Sequence, residues 1–182
     1  MPVPICRRRG TTAPMIRPAA ALAAALALSG CAMMTKPPAP TPVTYTGTPQ
    51  EQWVQGQKAY EAWSAARPGW KVTESGLQYR KLKGRGSGRH PAATDTVTIH
   101  YVGRFIDGRE FDSSRKRGEP ATFPLPQLIK GWQEGVPLMR AGETFEFVIP
   151  STIAYGERNR PPIPPGSTLL FEIELIAIPA GE

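Results

Sequence analysis

The chain has 182 residues, which is enough for one ordinary domain with additional segments. Its formal net charge is +7, but four arginines and no acidic residue lie within residues 1–30, so the rest of the chain is only mildly basic. This charge is too small to predict a polyanionic partner and no recognition motif is present, so nucleic-acid binding is not expected. Two histidines and two cysteines, Cys6 and Cys31, provide too few ligands to predict a metal site.

The N-terminal residues 1–30 have the features of a targeting segment. Arginines are followed by an apolar stretch over residues 19–28, which is too short to span a hydrocarbon core of about 30 Å as a helix. Its length is typical of the apolar region of a signal peptide, and Leu28-Ser29-Gly30-Cys31 resembles a bacterial lipobox. We therefore predict a lipoprotein signal peptide over 1–30 that begins at Met1 or Met15, with lipidation of Cys31. A secretory signal with an incidental cysteine is the alternative.

The predicted lipid would anchor the protein to a membrane of the bacterial cell envelope, facing the periplasm. Ala32 after the cysteine favours the outer membrane by analogy with other lipoproteins. Residues 31–49 follow as a linker that contains five prolines, namely Pro37, Pro38, Pro40, Pro42 and Pro49. A segment of this composition stays extended and cannot build a core, so we predict a semi-rigid tether.

A helix and a turn are predicted over residues 50–69. Thr48-Pro49-Gln50-Glu51 has the spacing of a capping box with proline at the first helical position. The helix is expected to run to about Ala66 and to end before Pro68-Gly69. Trp53, Tyr60 and Trp63 fall near one helix face. We expect this face to dock on the main domain, although a separate binding helix is the alternative.

From residue 70 onward, apolar residues recur at every second position. The three clearest runs are Thr96–Tyr101, Thr144–Ile149 and Leu169–Leu175. They predict strands of an antiparallel sheet with one face toward solvent, and a further strand is expected near 77–82. Asp107-Gly108 predicts a hairpin. Ile129, Trp132, Val136 and Met139 have helical spacing, so the sequence predicts an α+β domain over 70–182 with one short helix across the sheet.

Several common catalytic chemistries lack their residues. His90 stands in a Gly-rich turn, His100 is predicted on the solvent face of a strand, and Ser113 and Ser114 have no nucleophile elbow or general base. The glycines of 84–88 are not followed by a Walker lysine, so this segment is predicted to be a loop. What remains is a concentration of aromatic side chains, whose simplest interpretation is a hydrophobic core.

Five segments in order closely resemble the FKBP family of peptidyl-prolyl cis-trans isomerases. They are Phe111–Ser114, Leu128–Gly135, Ile149-Pro150 with Ala154–Gly156, Ile163–Pro165 and Leu169–Leu175. The resemblance covers about residues 70–178. It implies a bent antiparallel half-barrel wrapped around the short helix, and a rotamase that acts on proline-containing exported polypeptides without a cofactor. Larger members dimerise through long N-terminal helices, whereas this chain has one short helix, so a monomer is expected.

The resemblance also implies a proline pocket between the helix and the sheet. The residues that it implies as catalytic are Tyr101, Phe111, Asp112, Trp132 and Tyr155, and those implied as substrate-binding are Phe123, Leu128, Ile129, Ile163 and Phe171. Trp132 would form the floor, and Ile163 would cap the pocket. Asp112 would lie at the rim beside Arg117, and the Tyr155 hydroxyl would reach the bound peptide carbonyl. Phe123 is either a pocket wall or neighbouring core.

Three positions depart from the family pattern. Ala121 stands where small members often carry an aromatic residue, the connection from Phe123 to Ile129 is short, and Arg160-Pro161 replaces a histidine found in some members. These departures bear on substrate preference more than on activity. A proline-binding chaperone with little turnover is the second candidate function. The chaperones of this family insert a domain in the flap, and no insert separates Gly156 from Ile163.

Overall fold

The computed structural model describes residues 46–179, so the predicted signal peptide, Cys31 and most of the predicted linker lie outside the described residues. The helices are α1 (Pro49–Ala65), α2 (Ser114–Arg117) and α3 (Lys130–Gly135). The strands are β1 (Lys71–Val72), β2 (Gln78–Lys83), β3 (Thr96–Phe105), β4 (Glu110–Ser113), β5 (Ala121–Pro124), β6 (Thr144–Ile149) and β7 (Leu169–Ala177). Short 3-10 turns cover Leu125–Gln127, Val136–Leu138 and Ser151–Ile153.

The start of α1 is set by the residues that the sequence predicts. Thr48 Oγ1 accepts a hydrogen bond from the Glu51 backbone N–H at 3.3 Å, and Glu51 Oε2 accepts one from the Thr48 backbone N–H at 2.7 Å. This reciprocal capping box satisfies N–H groups that the start of a helix leaves without partners. The same hydrogen bond from the Thr48 backbone lowers the pKa of the Glu51 carboxyl. Both predicted ends of the helix agree with the structure to within one residue.

The helix α1 docks on the sheet domain, as predicted, but its buried face is largely polar. Its buried residues are Gln57, Tyr60 and Ser64. The Thr168 backbone N–H donates to Gln57 Oε1 at 2.9 Å, and Ser64 Oγ donates to Gln78 Oε1 at 2.6 Å. Because these buried polar groups have hydrogen-bond partners, this face of α1 can be buried without a large desolvation penalty.

The predicted aromatic stripe contributes unequally to this docking. Tyr60 is buried, and burial is the main reason why its pKa rises to about 12. The Trp53 indole N–H donates to the Pro165 carbonyl oxygen at 3.0 Å. Trp63 remains half-buried, with its ring centroid 5.3 Å from that of Tyr60. Among residues 46–179, no helix has the length and the apolar character needed to cross a membrane.

All seven strands form one antiparallel sheet, in the order β1-β2-β6-β7-β3-β4, with β5 also paired to β3. The long strand β3 changes its partner along one edge, because β5 pairs with Thr96–Ile99 and β4 pairs with Val102–Arg104. Its other edge pairs with β7. Register shifts in both ladders interrupt the regular pairing. Such bulges bend strands and increase their twist, so the sheet curves around a concave face.

The helix α3 packs closely against β6 because two of its residues are glycines. A Cβ at Gly131 would lie 2.4 Å from Ile149 Cγ2, and one at Gly135 would lie 2.7 Å from Phe147 Cε1. Any side chain at these positions would therefore push the helix away from the sheet. The helix is shorter than the predicted span from Ile129 to Met139, since the chain passes into a 3-10 turn that contains Pro137.

The predicted alternation of buried and exposed residues holds for β3 but is wrong for β6. In β3, Val97, Ile99 and Tyr101 are buried, whereas the residues between them are partly exposed. In β6, Val148 on the predicted solvent face is only 1% exposed. Val148 lies opposite Gln78 in the ladder, and Gln78 is bonded to α1. The outer face is therefore covered by α1 at this point, and the described residues belong to one compact unit.

The helix α2 is a short element that the sequence analysis does not predict. Ser113 Oγ accepts a hydrogen bond from the Lys116 backbone N–H at 3.2 Å and so caps the helix. The basic residues that follow are paired rather than simply solvated. Their partners, in order, are Glu174 for Arg115, Glu110 for Lys116 and Asp112 for Arg117. This pairing matters because Arg117 and Asp112 lie at the site described next.

Candidate functional site

A cleft of about 700 Å³ opens between α3 and the concave face of the sheet. Nine of the ten residues predicted as catalytic or substrate-binding line it: Tyr101, Phe111, Asp112, Phe123, Leu128, Ile129, Trp132, Tyr155 and Phe171. They come from β3, β4, β5, α3, the loops beside α3 and β6, and β7. A cleft of this volume and aromatic lining is typical of sites that hold a small ligand or a short peptide segment.

Four aromatic rings at the centre of the cleft are joined by three edge-to-face contacts. The Trp132 ring, 5% exposed, lies at the floor. Its centroid is 5.3 Å from that of Tyr101 at an interplanar angle of 77°, and 5.0 Å from that of Phe171 at 88°. The Phe111 ring meets Phe171 at 5.6 Å and 89°. Aromatic pairs favour this geometry beyond the area that they bury, so the packed rings give the cleft an apolar floor.

The rings can approach this closely because β3 carries a glycine beneath them. A Cβ at Gly103 would lie 2.7 Å from Phe111 Cζ and 2.8 Å from Phe171 Cε1. In the ladder, Gly103 stands opposite both Asp112 of β4 and Phe171 of β7. Any larger residue would displace at least one ring that lines the cleft.

A polar network occupies one edge of the cleft. The Tyr101 hydroxyl donates to Asp112 Oδ2 at 2.5 Å, Arg117 Nη1 donates to Asp112 Oδ1 at 2.5 Å, and Arg117 Nη2 donates to the Tyr101 oxygen at 2.8 Å. Each of the three groups therefore contacts the other two. The helix α2 brings Arg117 to this position, since it begins directly after the strand that carries Asp112.

The network shifts the pKa values of its two acidic groups in opposite directions. Burial, and then the hydrogen bond to the Asp112 carboxylate, raise the pKa of Tyr101. For Asp112, burial acts to raise the pKa, but the Tyr101 hydroxyl and the Arg117 guanidinium outweigh it and leave the pKa lowered. The stabilisation from Asp112 is therefore present above the ordinary carboxyl value of about 3.9 and is lost as the pH falls through the lower folded-state value.

Two predicted residues complete the walls of the cleft. Tyr155 follows the 3-10 turn Ser151–Ile153, and the Arg160 guanidinium lies 4.8 Å from the centroid of its ring. The Tyr155 hydroxyl makes no hydrogen bond within the described part of the chain. Phe123 lines the cleft and lies 6.3 Å from Tyr101 between ring centroids, while it also packs against the core.

Ile163 is the predicted site residue that the structure places elsewhere. Its side chain is 6% exposed and belongs to the hydrophobic core, and it is not among the residues that line the cleft. The physical reason is a tight turn, in which the Ile163 backbone N–H donates to the Arg160 carbonyl oxygen at 2.7 Å. The turn directs the apolar side chain inward and leaves Arg160 at the cleft.

The cleft also contains residues that the sequence analysis does not assign to it. They are Gln127, Lys130, Thr152, Ala154, Gly156, Glu157, Arg158 and Arg160. All of them are within a few positions of a predicted residue. They could have been predicted if the residues flanking the recognised segments had been included. Within residues 46–179, no group of three or more histidine, cysteine or acidic side chains is arranged to hold a metal ion.

Comparisons with known proteins agree with this geometry. The sequence pattern of the FKBP-type peptidyl-prolyl cis-trans isomerases matches residues 87–176. The chain is 52% identical over 128 residues to the FKBP-type peptidyl-prolyl cis-trans isomerase FkpA of Aeromonas hydrophila. The aligned region covers 69% of this chain and 47% of that protein. It is 46% identical over 121 residues to the outer membrane protein MIP of Legionella longbeachae, covering 66% of this chain and 52% of that protein.

A solved structure extends the match to almost the whole of another protein. The 1.6 Å crystal structure of a peptidyl-prolyl cis-trans isomerase from Pseudomonas syringae pv. tomato superposes with a TM-score of 0.66 at 36% identity, covering 74% of this chain and 98% of that one. The chain belongs to the FKBP family. The FKBP match at 87–176 contains every residue that lines the cleft, whereas α1 lies before it. The chain spans about half the length of the Aeromonas and Legionella relatives named above.

Proposed function

We propose that this FKBP protein accelerates the cis-trans isomerisation of X–Pro peptide bonds in exported polypeptides, and that it acts as a monomer. The observation that carries the proposal is the aromatic floor formed by Trp132, Tyr101 and Phe171, with polar groups around it. Nine residues that the family resemblance assigns to a proline pocket meet at this floor, which supports their proposed roles.

The physical basis is the polarity of the peptide bond. Rotation about this bond is opposed by about 18–20 kcal/mol, because resonance gives the planar amide partial double-bond character and separates charge onto its oxygen and nitrogen. Water stabilises the planar, more polar form. An X–Pro bond that enters an apolar slot loses this solvation, so the twisted and less polar amide becomes relatively more accessible.

The polar residues at the edges orient the substrate around that slot. The Asp112 carboxylate is held by Tyr101 and Arg117, so it offers a fixed negative charge near the apolar floor. The Tyr155 hydroxyl lacks a partner within residues 46–179 and can donate to a carbonyl of the bound peptide. Groups that are positioned before binding need no reorganisation when the amide twists, which is how they favour that geometry.

A direct assay tests the proposal. The full-length chain, purified in mild detergent, should accelerate the cis-trans interconversion of a proline tetrapeptide in a protease-free assay, and a rapamycin-type inhibitor should abolish the acceleration. Circular dichroism on the same sample establishes that the protein is folded. A folded sample that leaves the interconversion at its uncatalysed rate would reject the proposed activity.

Removal of the Tyr155 hydroxyl should have a moderate effect. Tyr155→Phe keeps the ring and its contact with Arg160 but deletes one hydrogen-bond donor to the substrate. A single neutral hydrogen bond contributes about 0.5–1.5 kcal/mol, so we expect kcat/KM to fall about two- to tenfold while stability is unchanged. Tyr79→Phe is the matched control, because Tyr79 packs on Phe145 away from the cleft. An equal loss in both variants would contradict the proposed role.

The activity should not depend on pH between about pH 5 and pH 9. The pKa of Asp112 is lowered from an ordinary value of about 3.9, and that of Tyr101 is raised from about 10, so neither group changes its charge in this interval. The measurement is kcat/KM against pH, with the uncatalysed rate subtracted at each point. A bell-shaped profile with a midpoint inside the interval would contradict the assignment of these two groups as the essential polar pair.

We also propose that the protein works at the cell envelope, held by a lipid on Cys31. The support is the lipobox-like Leu28-Ser29-Gly30-Cys31 after a short apolar stretch, together with the name of the Legionella relative, an outer membrane protein. These residues lie outside the part of the chain that the structure describes. The linker over 31–49 would hold the isomerase domain of 70–182 away from the membrane surface.

Substitution of the cysteine tests the anchor. Cys31→Ala should move the protein from the membrane fraction to the soluble periplasmic fraction, since each buried CH₂ of an acyl chain contributes about 0.8 kcal/mol to attachment. Ser29→Thr, a conservative change in the same segment, serves as the control and should leave the protein with the membranes. Membrane retention of the Cys31→Ala protein would reject lipid anchoring at this residue without affecting the proposed activity.

A further inference from the structure

Three cationic side chains line the cleft without a partner of opposite charge. Lys130 begins α3, and Arg158 and Arg160 lie in the loop that follows Tyr155. All three are exposed, and none of them forms a salt bridge with a carboxylate in residues 46–179. Lys130 Nζ donates only to the neutral amide oxygen of Gln133, at 3.2 Å.

The acidic residues of the cleft do not balance these cations. Asp112 is already paired with Arg117, at 2.5 Å. Glu157 is the other carboxylate that lines the cleft, and its side chain lies over Gly166 at the base of the loop. Three unpaired cations against one unpaired carboxylate leave the cleft rim positive. By contrast, the basic residues of α2 are all neutralised by nearby acids.

The Arg160 side chain has a contact partner in the cleft before any substrate binds. Its guanidinium lies 4.8 Å from the Tyr155 ring centroid, which is within the range of a cation–π contact. The neighbouring Arg158 is tied to the same turn, since its backbone N–H donates to the Tyr155 carbonyl oxygen at 3.3 Å. Because its guanidinium already contacts a ring, Arg160 loses less side-chain freedom on binding an anion than a free surface arginine would lose.

We propose that this cleft prefers proline segments that carry an acidic side chain within about two residues of the proline, recognised by Lys130, Arg158 and Arg160. This inference rests on the proposed isomerase function and names its preferred substrate class. An extended peptide advances about 3.3–3.6 Å per residue, so a carboxylate one or two positions from a proline on the cleft floor lies near the rim. Unpaired charges beside apolar walls also raise the local concentration of oppositely charged substrates.

The test uses two pairs of tetrapeptides that differ only in charge. One pair has Glu or Gln directly before the proline, and the other pair has Glu or Gln directly after it. With the full-length protein in detergent at about 20 mM salt, kcat/KM for the better Glu peptide should exceed that of its Gln counterpart about three- to tenfold, as expected for several weak exposed ion pairs. At about 0.5 M salt the ratio should approach one, because screening shortens the range of these charges.

Variants identify the residues responsible. The double variant R158Q/R160Q should bring the Glu-to-Gln ratio close to one at low salt. R85Q makes the same kind of charge change at an exposed arginine that lies outside the cleft and has no salt bridge in the described chain. It should leave both the ratio and the activity on the Gln peptides unchanged. An equal loss of the ratio in R85Q would attribute the preference to net charge and overturn the assignment to the cleft.

The outcomes separate this inference from the function on which it rests. If the Gln peptides are accelerated but neither Glu peptide is preferred, the proposed acidic preference is wrong and the isomerase function stands. If no peptide is accelerated by folded protein, both proposals fail. A preference for Glu that persists at high salt would also overturn the electrostatic explanation.

Discussion

Replacement of Trp132 by alanine is expected to lower kcat/KM for X–Pro isomerisation about a hundredfold or more. The ring forms the floor of the cleft and holds Tyr101 and Phe171 in edge-to-face contact. Without it, water enters the slot and two further rings lose their support, so several interactions with the twisted amide weaken together. A hundredfold loss corresponds to about 2.7 kcal/mol of transition-state stabilisation.

The same change should also destabilise the protein, and a control must separate the two effects. Truncation of a buried tryptophan to alanine costs about 3–5 kcal/mol of unfolding free energy. Met139→Ala is the matched control, because Met139 is 0% exposed in the same core but does not line the cleft. It should cost about 2–5 kcal/mol and leave kcat/KM almost unchanged at a temperature where both variants are folded. A similar loss of activity in the two variants would contradict a specific role for the indole.

A gentler variant refines the interpretation of this residue. The Trp132 indole N–H is buried and has no hydrogen-bond partner among the described residues. Trp132→Phe therefore breaks no hydrogen bond within this part of the protein. The variant keeps an aromatic floor of smaller area. We therefore expect an activity between those of the wild type and Trp132→Ala, because part of the ring area that excludes water from the cleft remains.

The second large effect is expected from Asp112→Asn, which should lower kcat/KM about ten- to a hundredfold. The substitution preserves the shape of the side chain but removes the charge that binds Tyr101 and Arg117. Hydrogen bonds to charged groups contribute about 1.5–3 kcal/mol, and here they fix both a wall of the cleft and the charge beside it. The unfolding free energy should change by less than about 1 kcal/mol, since both partners of the ion pair are partly exposed.

Asp95→Asn provides the control for this prediction. Asp95 also pairs with an arginine, Arg89, and accepts a further hydrogen bond from the Ala92 backbone N–H, but it lies away from the cleft. Loss of its charge should leave kcat/KM within about twofold of the wild type. Equal activity of the Asp112→Asn protein and the wild type would remove Asp112 from the proposed site. The pattern of low activity with unchanged stability would distinguish Asp112 from Trp132.

Much of the secondary structure could be predicted because its signals are local. The capping box of α1 depends on two residues three positions apart, and both make the expected hydrogen bonds. The alternation in β3 depends on neighbours along one strand. The set of aromatic residues in the cleft could be predicted for a different reason, namely that five sequence segments resembled a known family in the right order.

Features that depend on contacts between distant segments could not be predicted in the same way. The polar face of α1 can be buried because Gln57 accepts a hydrogen bond from the backbone N–H of Thr168, 111 positions away. Nothing near Gln57 in the sequence indicates that partner. The burial of Val148 on the outer face of β6 has the same origin, since it results from the docking of α1.

The sequence alone determined the helix α1, the main strands of the sheet and the identity of the aromatic rings, because each follows from short-range spacing or from the recognised segments. Only the tertiary structure decided which side chains of the loop between Gly156 and Thr168 face the cleft. Arg158 and Arg160 line it, and Ile163 enters the core instead. An irregular loop has no repeating period, so the direction of each side chain is fixed by its turns and by the elements packed around it.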